Sequence, residues 1–136
     1  MSVLGLAGIP VSHRGVAHEV TVVSGHVPPG APSSLVDWDA LARLRGTLVL
    51  LMAVENLPAI AEHLVLGGRP SGTPVAVLVE GSLPGERRLL STLGDVAADV
   101  RREGLRPPAV VVVGDVVGVA HPERYAAVAV GGASVP

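Results

Sequence analysis

Thr47-Leu48-Val49-Leu50-Leu51-Met52-Ala53 is an unbroken apolar run of strand length, and Ala109 to Val117 is a second, valine-rich run. A strand with one wet face alternates apolar and polar residues, so a strand apolar at every position must be covered on both sides. Two such runs demand a sheet with helices on each face, a three-layer α/β domain. Neither run spans a bilayer, which takes about 20 apolar residues, and Asp115 interrupts the second. The first fits best as a central parallel strand and the second as the last buried strand.

The intervening residues supply the remaining elements. Met1 to Gly8 is small and apolar, like the end of a helix or linker. Glu19 to Ser24 is β-branched and ends at Gly25, which makes it a strand with Glu19 a solvated edge residue. After a loop rich in proline and glycine, Asp37 is placed to cap a short helix through Ala40, Leu41 and Leu44 that stops at Gly46. Asn56 can cap the next helix, in which Leu57, Ile60, Ala61, Leu64 and Val65 recur at helical spacing up to Gly67-Gly68. Thr73 to Glu80 reads as a strand, and Gly81 to Gly85 as a turn that lets Glu86 to Ser91 pair antiparallel to it. Thr92 and Asp95 have the spacing of a capping-box variant for a helix that ends at Gly104. The expected domain is residues 1–120 with a mixed sheet of about five strands, followed by a mobile tail over residues 121–136.

Composition excludes several kinds of chemistry. The 136 residues include no cysteine, so thiolate metal sites, disulfides and cysteine nucleophiles are ruled out. Lysine is also absent, which removes Schiff-base catalysis and leaves arginine as the permanent cation. A net charge of −2 and scattered arginines give no basic field for nucleic acid, and one Trp and one Tyr give no platform for stacking bases. His13, His18 and His26 lack the spacing of a metal site. The N-terminus has no charged signal start, so the expectation is a cytoplasmic protein without membrane, nucleic-acid or metal partners.

The richest polar stretch is Ala7-Gly8-Ile9-Pro10-Val11-Ser12-His13-Arg14-Gly15, where Pro10 stiffens the backbone ahead of a hydroxyl, an imidazole and a guanidinium. By local pattern alone it is equally a polar loop entering a strand. Together with Ser24-Gly25-His26, the strand carrying Met52, Pro74-Val75-Ala76 leading to Glu80-Gly81-Ser82, and Val113-Gly114-Asp115-Val116-Val117, it comes in the order found in tetrapyrrole methylases. The chain resembles the C-terminal domain of that family over about Leu6 to Val119, closest to its uroporphyrinogen-III C-methyltransferase branch. Where the family commonly has Tyr-Met-Gly this chain has Leu51-Met52-Ala53, and Ser12 stands for a threonine. Leu83 and Glu86 replace the usual Thr and Gln after Gly81.

The resemblance implies S-adenosylmethionine as cofactor, bound between two α/β domains, and a tetrapyrrole substrate, uroporphyrinogen III, rich in carboxylates. It implies that Arg14 holds a substrate carboxylate, with His13 and Ser12 beside it, and that Met52 and Gly81 line the cofactor. The residues alone leave other roles open: an exposed ion pair for Arg14, loop packing for His13, core filling for Met52, a hairpin turn for Gly81. No residue is expected to be catalytic in the covalent or acid–base sense, because methyl transfer from a sulfonium needs chiefly alignment. The family's glycine-rich cofactor loops belong to its N-terminal domain and do not occur here, so this chain is expected to be inactive alone, and the face its apolar strands and short helices would turn to that domain is expected to make it self-associate as a homodimer. Another precorrin methylase, or a non-catalytic dimerisation or binding module, are the alternative readings.

Overall fold

The structure, a computed structural model, describes residues 19–79, 88–106 and 108–125. Its elements in chain order are β1 (Val20–Ser24), α1 (Trp38–Arg43), β2 (Thr47–Leu51), a 3-10 turn (Val54–Asn56), α2 (Leu57–Leu66), β3 (Pro74–Val79), β4 (Arg88–Thr92), α3 (Val96–Glu103), β5 (Ala109–Val113) and α4 (Asp115–Ala120). The strands form one five-stranded sheet in the order β1-β2-β5-β3-β4.

Both apolar runs lie inside this sheet, as two-sided burial requires. Leu48, Leu50, Val75, Val77, Val111 and Val113 face the layer of α1, α2 and α3 and pack with Trp38, Leu57, Ile60 and Leu64. The alternate residues Val49, Ala76, Leu78 and Val112 face the other way, against Val116, Val117 and Tyr125. The expected three-layer α/β architecture with a mixed sheet is therefore the one observed. β2 is central but is parallel only to β1; it pairs antiparallel with β5, Leu50 opposite Val111. β3 is antiparallel to both its neighbours, and its pairing with β4 places Val77 opposite Leu89, the hairpin expected from the sequence.

Two local expectations are corrected. The last strand stops at Val113, not Val117: Gly114, at φ +153, still donates its N–H to the facing Pro74 carbonyl at 3.0 Å, but proline has no N–H to return, and Asp115 then opens α4. The capping box before α3 does not form: the Asp95 side chain makes no cap bond, and its carboxylate accepts the Thr92 hydroxyl at 3.3 Å. Beyond α4, Tyr125 is buried at 5% exposure, while Pro122, Glu123 and Arg124 are exposed. Asp37 does cap α1, accepting the Ala40 N–H at 3.0 Å. The other end of α1 is closed by Arg69, buried and donating to the carbonyls of Leu41 and Gly46 at 3.2 and 3.1 Å.

The Tyr125 hydroxyl donates toward the carbonyls of Ser91, at 2.8 Å, and Val75, at 3.2 Å, tying the chain beyond α4 to β3 and β4. Burial pushes its phenol up to about 12. With the folded pKa above the unfolded value near 10, this contribution to stability is complete below about pH 10 and is lost as pH rises toward 12. Urea titrations should lose on the order of 2 kcal/mol across that window, and Tyr125→Phe should abolish the loss. An unchanged loss in the variant would assign it to other groups.

Candidate functional site

The chain leaves the sheet at the same end from β1 and from β2, and the two exits are joined. Beyond Ser24, the Gly25 N–H donates to the Leu51 carbonyl at 2.7 Å. A side chain at residue 25 would bring Cβ within 2.6 Å of the Ala53 Cβ and 2.9 Å of its Cα, closer than carbon atoms tolerate, so the turn needs glycine. The next N–H, that of His26, donates to the Ser24 hydroxyl at 3.3 Å.

On the β2 side, Met52 adopts φ +53, the left-handed region that costs a non-glycine residue about 1–2 kcal/mol. The residue is 63% exposed, which excludes core filling. Ala53 is fully buried behind it, and the 3-10 turn then leads into α2. Asn56 was expected to cap α2, but its side chain makes no cap bond. Its amide nitrogen instead donates to the carbonyls of Gly25, at 2.7 Å, and His26, at 2.9 Å. This tie between turns has no sequence signal, because an asparagine ahead of a helix signals a cap and nothing local reports a partner far upstream.

These turns and the start of β5 enclose a groove of about 700 Å³. Leu51, Met52 and Val54 form one wall and Pro108, Ala109 and Val110 another, with His26, Glu55 and Asn56 supplying polar atoms. The lining is mostly aliphatic with a few polar groups, the usual chemistry of a small-molecule site. A second recess at the opposite end of the sheet, about 470 Å³, contains Arg43, Arg45, Arg69 and Asp115. There Arg69 is already engaged by backbone carbonyls.

Of the residues singled out in the sequence, Met52 lies in the groove wall, together with His26 of the Ser24-Gly25-His26 motif. Ser12, His13, Arg14, His18 and Gly81 lie outside the described residues. Among the described residues no group of three or more His, Cys, Asp or Glu is gathered, and no helix is long and apolar enough to cross a membrane.

A family model for tetrapyrrole (corrin/porphyrin) methylases matches residues 2–97. The chain belongs to the tetrapyrrole methylases. This methylase chain is 41% identical over 114 residues to a uroporphyrinogen-III C-methyltransferase of Sinorhizobium sp, an alignment covering 84% of the chain and 41% of the relative. It is 40% identical over 111 residues to a siroheme synthase of Azotobacter vinelandii, covering 82% of the chain and 24% of that protein. The crystal structure of a Thermus thermophilus uroporphyrin-III C-methyl transferase complexed with S-adenyl homocysteine is similar with a TM-score of 0.68 and 37% identity, over 88% of this chain and 51% of that one. The methylase chain thus spans about half or less of the length of these relatives.

Proposed function

We propose that the chain is the C-terminal domain of an S-adenosylmethionine-dependent uroporphyrinogen-III C-methyltransferase, working in the cytoplasm to make precorrin-2 for sirohaem and cobalamin synthesis. The observation that carries this is Met52, held on left-handed backbone with its thioether projecting at an apolar groove, at the position where the family motif has its methionine. Strained, exposed placement of a large apolar side chain is costly unless a ligand uses it.

The groove suits the cofactor. Its aliphatic walls match the faces of an adenosine, and the His26 and Asn56 side chains bring polar groups to the same recess. When bound, S-adenosylmethionine supplies an electrophilic methyl group. The chain's own residues bind and orient: Met52 and Gly81 on the cofactor side, and Arg14, His13 and Ser12 toward the tetrapyrrole carboxylates, where a guanidinium offers a two-pronged hydrogen-bonding fork. A glycine-rich N-terminal half supplies the rest of the cofactor cleft, and the assembled enzyme is a homodimer.

Calorimetry with S-adenosylhomocysteine tests this on the chain alone and joined to such a half, with light scattering on the same samples. The joined protein should bind, methylate uroporphyrinogen and run as a dimer; the chain alone should bind weakly and show no turnover. Turnover by the chain alone, or no binding by the joined protein, would overturn the reading. A clean monomer at micromolar concentration would remove the dimer from it.

A further inference from the structure

We propose that Asn56 is the positioning residue of this groove, fixing where His26 and Met52 stand relative to one another. The inference deepens the methyltransferase reading and rests on it for its cofactor readout.

A carboxamide nitrogen carries two protons, and the Nδ2 of Asn56 lies 2.7 Å from the Gly25 carbonyl and 2.9 Å from that of His26. Its donors are therefore committed to consecutive carbonyls of a turn some thirty residues upstream. Holding both carbonyls toward one point sets the peptide plane between Gly25 and His26, and so the direction in which His26 leaves the backbone. The Gly25 N–H closes the same junction from the other side by donating to Leu51 at 2.7 Å. Leu51 immediately precedes Met52, whose left-handed backbone persists only where its surroundings over-determine it.

The amide serves the site and not the helix, since Asn56 makes no side-chain bond to α2. Few other residues can replace it. Aspartate has the same shape but presents acceptors to acceptors, and serine offers a single proton from a shorter arm. Asn56 is a member of the groove lining as well as its brace, so loosening it displaces the His26 and Met52 walls together.

The first measurement uses this chain itself. Asn56→Asp should strip hydrogen-exchange protection from the Gly25 amide and move the His26 ring resonances, while the amides of β3 and β5 keep their protection. If Asn56→Asp does not fold, Asn56→Ser is read in the same way. Unchanged exchange at Gly25 and unchanged His26 resonances would overturn the proposal.

The second uses the chain joined to a glycine-rich N-terminal half. There Asn56→Asp should weaken S-adenosylhomocysteine about tenfold and raise the cofactor KM similarly, with kcat at saturating cofactor changed less than twofold. Wild-type affinity in a folded variant would overturn the positioning role while leaving the methyltransferase reading intact. If the unaltered joined protein binds no S-adenosylhomocysteine, that reading fails, and the exchange and resonance measurements decide the role of Asn56 alone.

Discussion

Replacing Gly25 by valine is expected to lower folding stability by about 3 kcal/mol, the upper end of the usual penalty for overpacking. The cause is specific: the new Cβ would sit 2.6 Å from the Ala53 Cβ, 2.9 Å from its Cα and 3.0 Å from the Ile60 Cδ1. Two of those atoms belong to or adjoin backbone and cannot swing away. Gly25→Ala should cost less, about 1 kcal/mol or more, and Ala53→Gly should relieve part of it by removing the nearest atom. The double variant Gly25→Ala, Ala53→Gly should therefore be more stable than the sum of the single changes, with a coupling of about 0.5 kcal/mol or more. Urea unfolding midpoints with unchanged slopes measure this. Simple additivity would mean that the turn after β1 shifts freely instead of pressing on Ala53.

Arg14→Ala, in the chain joined to its N-terminal half, is expected to weaken uroporphyrinogen binding about ten- to a hundredfold and leave S-adenosylhomocysteine affinity nearly unchanged. The figure follows from losing a charge-assisted pair worth roughly 1.5–3 kcal/mol. Arg14→Lys should recover only part, because an ammonium keeps the charge without the bidentate fork. Binding isotherms for both ligands separate the possibilities. Equal weakening of both, with a lowered Tm, would make Arg14 a structural residue, and unchanged substrate binding would leave its stretch a loop.

Much of the fold was legible because it is written in local periodicity. The apolar run from Thr47 announces a strand buried on both faces, the spacing of Leu57, Ile60, Ala61 and Leu64 announces α2, and Gly104 ends α3 at φ +65 as a helix-closing glycine should. Strand direction is not local, which is why β2 turned out antiparallel to β5. Val116 and Val117 extend the expected last strand because valine favours strands, yet the chain turns into α4 at Asp115 and the two valines pack beneath the sheet from that helix. At the site, Met52 reads as core among its apolar neighbours, and only its backbone angle reveals that it faces outward. Asn56 was visible as a polar residue at a helix start, but its partners are brought to it by the sheet.

The strand order carries a consequence for how such a chain is made. Among the described strands, β5 is the last in sequence and the middle one in space, flanked by β2 and β3. Until it has been synthesised, the earlier strands can form only separate pairs, β1 with β2 and β3 with β4. A nascent chain that has not yet released Val113 from the ribosome consequently exposes the inner edges of both ribbons. It is then a target for chaperones and proteases, and closure of the sheet must wait until β5 has emerged. A boundary drawn ahead of Ala109 would split the sheet down its centre.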